Sequence, residues 1–429
     1  MLKLLAAWFR IPMAVRILGG FFLGLIAGLA GSFLGWEPIL RVADAIKPLG
    51  TLMLAMLKMV VIPIILFSLI RGTAALPLKK SGKVGATVIL WFLVTSGFAA
   101  VFGISIALLV SPAINTGVAI PAETASVAAK TTASLENFLK EIFCNPFEAL
   151  SSGNFLAIVV FATLSGAAIR VLLDSEETSE ETSSAIETLL NCIRACDSIV
   201  FKLLDWIMEY FPIGIFILTF VNFAHNGVLL LGPYITLILS VAAGLSAMIF
   251  VVYPLLLLVT CHENPYRIML KFREPMFTAF TTRSSFATLP VSIRTLNKIG
   301  ISPALTSFSL PLGSTVNMDG ACVLLPSYAV LAANTFGVTL TATNLAIILF
   351  TVLFASIGAG GIPNGSLLLL FVVLKNIGLQ EDQISSIVAL AFGIDPILDM
   401  IRTTCNCTGD MVCTYAVAKR SGMLTPKER

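Results

Sequence analysis

Long runs without charge are the feature that most limits what this chain can fold into. Residues 84–122 contain no charged side chain, and a helix needs only about 20 such residues to cross a bilayer. Similar runs recur, so that 57% of the chain is hydrophobic and 12% is charged. Soluble domains carry about 25% charged residues, and a membrane β-barrel would alternate apolar and polar residues in short segments. The chain is therefore expected to be an all-α polytopic membrane protein.

Eight segments are long and apolar enough to be transmembrane helices. The first has no small-residue cleavage site before it, so we expect an uncleaved helix rather than a signal peptide. The predicted spans are residues 14–35, 42–70, 84–110, 146–172, 188–222, 228–260, 300–335 and 383–417.

Two further apolar stretches, 275–297 and 340–374, are interrupted by polar tips, TTRSSFATLP at 281–290 and SIGAGGIPNGS at 356–366. Such a tip would leave backbone groups unpaired in lipid, so it must be buried in protein or line a polar cavity. We interpret both stretches as re-entrant hairpins. A hairpin followed by a span then occurs twice with opposite entry sides, an inverted repeat typical of transporters whose broken helices form a site near the membrane midplane.

The distribution of lysine and arginine indicates the orientation. Four basic clusters, near residues 3–16, 71–83, 267–273 and 419–429, fall on one side if both termini are cytoplasmic, as the positive-inside rule requires. The acidic segment 173–187 is then cytoplasmic as well, but acidic residues count little in that rule.

One carboxylate stands alone in an apolar region. Asp319, in the sequence STVNMDGACVLLP (314–326), is the only charge between Lys298 and Lys375. An ion at the centre of a bilayer costs about 2.5–3.5 kcal/mol and is usually functional.

The last span carries a polar stripe. Asp395, Asp399, Arg402, Asn406 and Asp410 follow one another at helical spacings of 4, 3, 4 and 4, which places them on one face roughly 80° wide. Because such a face is too polar for lipid, it must line a cavity or contact another helix.

The charges of these segments do not cancel. Four aspartates give −4, and Arg402 with Arg283 at the first hairpin tip gives +2, which leaves −2. Bound cations are the simplest compensation, and carboxylates, hairpin carbonyls, Asn317 and Asn406 offer the oxygen ligands that hard cations prefer. The pattern predicts sodium as the coupling ion and no other cofactor. Protonation of one or two aspartates is the alternative.

The same span also suggests the solute. Arg402 offers a planar donor fork suited to a carboxylate, and Asp399, one turn earlier, is suited to an ammonium group. Together they indicate a zwitterion or an acidic amino acid. Alternatively, the two side chains pair with each other when the site is empty.

Four motifs in this order resemble the dicarboxylate/amino acid:cation symporters, the family of the excitatory glutamate transporters and their archaeal aspartate-transporting relatives. The resemblance covers nearly the whole chain and is specific because all four motifs occur together. The motifs are TTRSS (281–285), NMDG (317–320), SIGAGGIP (356–363) and DMIRTTCNCTGD (399–410).

The resemblance implies a homotrimer in the inner membrane of the cell, surrounded by the lipid bilayer. Residues 1–83 and 111–222 would form a scaffold from helices 1, 2, 4 and 5. Helix 3 (84–110) and residues 223–429 would form a transport domain, with helix 6, hairpin 1 at 275–297, helix 7 at 300–335, hairpin 2 at 340–374 and helix 8 at 383–417. Each transport domain would move along its scaffold like an elevator.

The resemblance also implies a set of substrate contacts. Arg402 would hold the side-chain carboxylate, Asp399 and Thr403 the amino group, and Asn406 and Ser285 the α-carboxylate, with the second hairpin tip as a gate. The implied substrate residues are Arg283, Ser284, Ser285, Ala321, Gly361, Ile362, Ser366, Asp399, Arg402, Thr403 and Asn406.

Three sodium sites are implied in the same way. One uses Asp410 with carbonyls of Gly313, Asn317 and Asn406, and a second uses carbonyls of Thr315, Ser356, Ile357 and Ala359. The third uses Thr95, Ser96, Asn317, Asp319 and the Phe92 carbonyl.

One departure bears on the substrate. Relatives that carry acidic amino acids usually have threonine after NMDG, where this chain has Ala321, as in relatives that prefer neutral amino acids. Those relatives usually also lose the arginine, whereas Arg402 is present. A missing hydroxyl costs about 0.5–1.5 kcal/mol, so the retained arginine favours an acidic amino acid, aspartate or glutamate. Dicarboxylate carriers are disfavoured because they lack the equivalent of Asp399.

Other functions remain as alternatives. A proton-coupled symporter, or one for a neutral or larger amino acid, would share the fold, and an anion-conducting channel would use the same polar groove. An enzyme is disfavoured because no nucleophile–base pair has a recognisable spacing. The net charge of +3 gives no indication of nucleic acid as a partner.

Overall fold

The computed structural model describes residues 11–34, 37–75, 82–110, 143–358 and 365–425. Within these ranges the regular structure is helical, apart from one isolated bridge between Ile301 and Leu424. Eight helices in the described ranges are long and apolar enough to cross a membrane. The expectation of an all-α polytopic membrane protein is confirmed.

Most helices of the N-terminal half are long. A 3₁₀ turn at Gly227–Leu230 and a π-helical turn at Met248–Val252 interrupt the sixth span. In chain order the helices are α1 (Met13–Leu34), α2 (Glu37–Ala74), α3 (Gly82–Val110), α4 (Pro146–Ser152), α5 (Phe155–Asp174), α6 (Glu180–Asn226), α7 (Leu231–Ala247) and α8 (Tyr253–Cys261).

The C-terminal half is more broken. Its helices are α9 (Pro265–Leu270), α10 (Arg273–Thr282), α11 (Ser285–Lys298), α12 (Pro303–Val316), α13 (Asp319–Thr335), α14 (Ala342–Gly358), α15 (Gly365–Leu368), α16 (Leu370–Asn376) and α17 (Glu381–Arg420).

The first predicted hairpin is a pair of helices. Helices α10 and α11 pack against each other and against α17. Arg283 at the tip has φ 53°, and Ser284 caps α11 by accepting a hydrogen bond from Ala287 N–H at 3.3 Å. In the second hairpin α14 leads to the tip and α15 and α16 return from it, but residues 359–364 of the tip lie outside the described residues.

Two predicted spans were wrong in their boundaries. The span at 146–172 is divided, since Gly153 in the left-handed region (φ 67°) ends α4 and Asn154 caps α5. The span at 188–222 begins earlier, because Ser179 caps α6 by accepting from Thr182 N–H. The second half of the acidic segment is therefore helical.

The span predicted at 300–335 corresponds to a candidate membrane span at Pro303–Thr335, which is divided into two helices. The chain leaves the helix at Asn317 (φ −98°, ψ 79°) and Met318 (φ −103°, ψ 56°), and α13 begins at Asp319. Asparagine and aspartate side chains compete with helical hydrogen bonds through their own polar groups. Here both side chains bind partners on other helices, which accounts for the break.

Packing separates the helices into two groups that touch. Helices α1, α2, α5 and α6 pack mainly on one another, whereas α3, α7, α12, α13 and α17 pack together with the hairpins. Helix α13 is at the centre of the second group, with Asp319 to Ala333 all buried. The division into scaffold and transport domain stays a prediction.

A polar contact fixes the entry to the first hairpin. Glu263, in the loop after α8, accepts hydrogen bonds from Lys419 Nζ at 2.5 Å and Tyr415 Oη at 2.9 Å near the end of α17. The hydrogen bond from Lys419 lowers the pKa of Glu263. The contact holds the start of the hairpin against the end of the last span.

A buried carboxylate joins α2 to α6. Asp197, 1% exposed, accepts from Ser68 Oγ at 2.7 Å and pairs with Arg71 Nη1 at 2.9 Å. We expect Asp197→Ala to lower the free energy of unfolding by about 1–3 kcal/mol, because it leaves the partners of this carboxylate unpaired. Thermal unfolding of the purified protein measures the change.

The matched control is Asp205→Ala on the same helix. Asp205 and its partner Lys202 are exposed and 4.0 Å apart, and such pairs contribute about 0–1 kcal/mol. Equal destabilisation by both substitutions would contradict a specific role of the buried pair.

Candidate substrate and cation site

The break between α12 and α13 carries a network of buried hydrogen bonds. Asp319 and Asn317 are both 0% exposed. Asp319 Oδ1 accepts from Ser96 Oγ at 2.8 Å, and Asn317 Oδ1 accepts from Thr95 Oγ1 at 3.1 Å. Thr95 Oγ1 also lies 3.2 Å from the Phe92 carbonyl. The structure thus brings together the five residues implied for one sodium site, whose role as ligands stays a prediction.

Sequence reasoning missed one member of this network. Tyr253 Oη donates to Asp319 Oδ2 at 2.8 Å and lies 3.1 Å from the Cys405 carbonyl. Its hydroxyl is the only side-chain oxygen between Ser246 and Thr260. That isolated polar group in an apolar run was the available signal.

The amide of Asn317 connects Asp410 to the hydrogen-bond network around Asp319. Its Nδ2 donates to Asp410 Oδ1 at 2.9 Å. Asp410 also lies against Gly313, where a Cβ atom would come within 2.5 Å of Asp410 Oδ1. Only glycine allows this close approach of the backbone to the carboxylate, and it places the Gly313 backbone beside Asp410, as the implied cation site requires.

Asp319 and Asp410 lack basic partners. Neither has a lysine or arginine within 4.0 Å among the residues that the structure describes. Their partners there are hydroxyl and amide groups, which solvate a charge but do not cancel it. Two negative charges buried without counter-ions fit a site for hard monovalent cations.

Asp395 and Asp399 differ from Asp319 and Asp410, because both of them bind Arg402. Arg402 Nη1 donates to Asp395 Oδ1 at 3.0 Å, and Nη2 donates to Asp399 Oδ1 at 2.6 Å. Thr403 Oγ1 donates to the same Asp399 oxygen at 3.1 Å. Of the two sequence alternatives for Arg402 and Asp399, this geometry is the paired one. Asp395 was not among the predicted site residues, although it takes one of the two terminal guanidinium nitrogens.

The tip of the first hairpin reaches the same carboxylate. Arg283 Nη1 lies 4.0 Å from Asp399 Oδ2, and the Arg283 side chain is 17% exposed. Ser285, at the start of α11, is 4% exposed, and Cys407 Sγ donates to its hydroxyl at 3.6 Å. The amino terminus of α11 therefore lies beside α17, as the sequence predicts.

Asn406 connects α17 to the start of α13. Its Oδ1 accepts from Gly320 N–H at 2.7 Å, and its Nδ2 lies 3.2 Å from Met318 Sδ. Ala321 follows in the first turn of α13 and is 0% exposed. Ser366, near the start of the returning arm of the second hairpin, is 5% exposed.

Only some of the remaining predicted site residues lie within the described part of the chain. Helix α12, which carries Thr315, packs against α14, which ends with Ser356 and Ile357 in its last turn. The free carbonyls of a last helical turn are available to a cation. Ala359, Gly361 and Ile362 lie outside the described residues, so their predicted contacts are not tested.

The sequence profile of the sodium:dicarboxylate symporter family matches residues 13–420. The chain belongs to this family. It is a multi-pass membrane transporter and not an enzyme.

Three relatives have names that indicate their substrates. The chain is 30% identical to the serine/threonine transporter SstT of Bifidobacterium adolescentis, over 93% of this chain and 87% of the relative. It is 28% identical to SstT of Streptococcus agalactiae, over 98% and 99%. It is 32% identical to the neutral amino acid transporter B(0) of Bos taurus, over 92% and 77%. All three names refer to amino acids without a charged side chain.

The cation site yields a direct test. We expect Asp319→Asn to weaken sodium binding at least about tenfold, because it removes a buried negative charge worth more than about 1.4 kcal/mol to a cation. The measurement is the sodium concentration that half-maximally raises the melting temperature of the purified protein.

The control for that titration is Asp205→Asn, an exposed carboxylate on α6. It should leave the sodium midpoint unchanged. An unaltered midpoint in Asp319→Asn would exclude Asp319 as a cation ligand.

Proposed function

We propose that this symporter couples the inward movement of sodium ions to the uptake of a small neutral amino acid. The observation that carries the proposal is the charge of the substrate side of the site. Asp395 and Asp399 balance Arg402 and Arg283, so these four buried or largely buried groups sum to zero. A zwitterion preserves that balance, whereas an acidic amino acid adds an uncompensated negative charge at a buried position.

Asp399 offers a hydrogen-bond acceptor for the amino group of the substrate. Asp399 Oδ1 is taken by Arg402 and Thr403, but the buried Oδ2 has no hydrogen-bond partner among the described residues. A buried acceptor without a donor costs about 1–3 kcal/mol. An ammonium group placed there would remove that cost and form a charge-assisted hydrogen bond.

The α-carboxylate is best accommodated at the start of α11. This helix has 14 residues, and the free N–H groups and dipole at a helix amino terminus favour an anion. Ser285 adds a hydroxyl at the same place. Asn406 Nδ2, which faces only the weak acceptor Met318 Sδ among the described residues, is a further donor.

The side chain of the substrate would approach Ala321. A methyl group offers no hydrogen bond to a side-chain carboxylate. The relatives named for serine, threonine and neutral amino acids support the same conclusion. The alternative raised by Ala321 is thus better supported than the acidic amino acid that Arg402 alone favours.

Sodium coupling is supported by Asp319 and Asp410, whose two charges lack basic partners in the described part of the chain. Cations that enter with the substrate would compensate both charges. Protonation of these carboxylates is the competing possibility, and the uptake assay below separates the two.

The transport cycle that we propose is the one that the resemblance to the family implies. Helices α1, α2, α4, α5 and α6 would form the scaffold of a homotrimer in the inner membrane, with both termini in the cytoplasm. The remaining helices would carry the substrate across as an elevator-type transport domain. The two packing groups of the fold are compatible with this division.

An acidic amino acid is the second candidate, because Arg402 retains a planar fork that matches a carboxylate. Uptake into liposomes decides between the two. With an inward sodium gradient, we expect serine, threonine or alanine to accumulate above the external concentration and aspartate to compete poorly.

Four results would change the conclusion. Preferred accumulation of aspartate supports the second candidate. Accumulation driven by a proton gradient without sodium contradicts sodium coupling. Flux that only equilibrates the two sides indicates a channel. Transport of neither class contradicts both candidates.

Ala321 provides a test of side-chain selectivity. We expect Ala321→Thr to improve competition by aspartate about 2- to 10-fold, the equivalent of one added hydrogen bond. Competition against serine uptake measures the change. Ala321→Val, which has the shape of threonine without the hydroxyl, is the control. Equal changes in the two variants would contradict a hydrogen-bonding effect.

A further inference from the structure

Both terminal nitrogens of Arg402 bind aspartates of its own helix, α17. Asp395 precedes it by two turns and binds Nη1, while Asp399 precedes it by one turn and binds Nη2. All three side chains are at most 2% exposed. Each aspartate takes one N–H of a terminal nitrogen, so a substrate carboxylate that binds in bidentate fashion must share both nitrogens with two anions that already neutralise the guanidinium charge.

The two aspartates differ in whether the ammonium group of the substrate can bind them. Asp399 faces the hairpin tip, where Arg283 lies 4.0 Å away, and it is the carboxylate suited to the substrate ammonium. Asp395 is 0% exposed, and its Oδ2 has no hydrogen-bond partner among the described residues. When the ammonium binds Asp399, Asp395 therefore still retains Arg402.

Apart from Asp395 and Asp399, no carboxylate of the described residues lies within 4.0 Å of the Arg402 guanidinium group. A further polar group in this region is Tyr328 of α13, which is fully buried and lies within electrostatic range of Asp395 and Arg402. Its hydroxyl has no hydrogen-bond partner in the described part of the structure, and a neutral phenol cannot balance a cation. The negative charge that restrains Arg402 behind the substrate position therefore comes from Asp395.

We propose that Asp395 is a specificity-determining positioning residue, which keeps Arg402 paired behind the site and so selects amino acids with uncharged side chains. The proposal rests on the proposed function. According to this proposal, the preference for neutral amino acids arises from Asp395, which pairs with Arg402, and not from the loss of the arginine. Without the charge of Asp395, the net charge of the four groups on the substrate side of the site becomes +1. An acidic amino acid then restores neutrality.

The test measures selectivity in the reconstituted full-length protein. The readout is the ratio of the inhibition constants of aspartate and serine against labelled serine, or against labelled aspartate if that is the better substrate. In Asp395→Asn we expect this ratio to shift toward aspartate by about tenfold or more, since like charges in a binding site are strongly disfavoured. A purely structural role would change the maximal rate and leave the ratio constant.

Three further variants isolate the cause. Asp395→Ser removes the same charge with a smaller side chain, and it should shift the ratio in the same direction. In Asp395→Asn combined with Arg402→Gln the shift should disappear, because it acts through the arginine. Tyr328→Phe removes a neighbouring hydroxyl that has no partner among the described residues, and it should leave the ratio unchanged.

An unchanged ratio in either folded Asp395 variant overturns the proposal. A shift that persists without Arg402 also overturns it. If neither variant keeps the sodium-dependent thermal stabilisation of the parent, Asp395 is a structural residue and the proposal fails. A parent protein that prefers aspartate contradicts the proposed function instead, and the two failures are therefore distinguishable.

Discussion

Negative charge buried in an apolar protein is the constraint on which the rest of this structure depends. Asp319, Asp395, Asp399 and Asp410 are all at most 4% exposed. An ionised carboxylate in such surroundings must be paired or bound to a cation, because its desolvation is too costly otherwise. The four aspartates fall into two pairs that meet this requirement in different ways.

The pair of Asp395 and Asp399 is compensated within the protein by Arg402 and Arg283. The pair of Asp319 and Asp410 has only hydroxyl and amide partners among the described residues. The first arrangement is suited to a dipolar solute that needs no net charge. The second is suited to mobile cations. Asn317, which contacts both sides of the cation network, sits where the helix breaks.

The fold and the charge balance were largely predictable from the sequence, because both depend on composition along the chain. Apolar runs of sufficient length predict spans, and polar tips such as 281–290 predict a hairpin. The excess of aspartates over arginines can be counted directly. The break at Asn317 was not predictable in the same way, since it depends on contacts with Thr95 and Asp410 from distant parts of the chain.

The same limit applies to Arg402. Its presence in a motif suggested an acidic substrate, but a guanidinium group attracts a substrate carboxylate strongly only if its charge is not already paired within the protein. Asp395 pairs with Arg402 Nη1 at 3.0 Å, and the sequence alone does not reveal which of several aspartates will do so. Tyr253 was missed for a similar reason, because its role depends on a contact with Asp319.

The measurement that tests the central claim most directly is the linkage between sodium and the transported amino acid in the purified protein. Calorimetric titrations at several sodium concentrations give the affinity of the amino acid at each. If cations compensate Asp319 and Asp410 and enter with the solute, the affinity must rise steeply with sodium, and the amino acid must tighten sodium binding by the same factor. Equal affinity in sodium and in choline chloride would contradict the account.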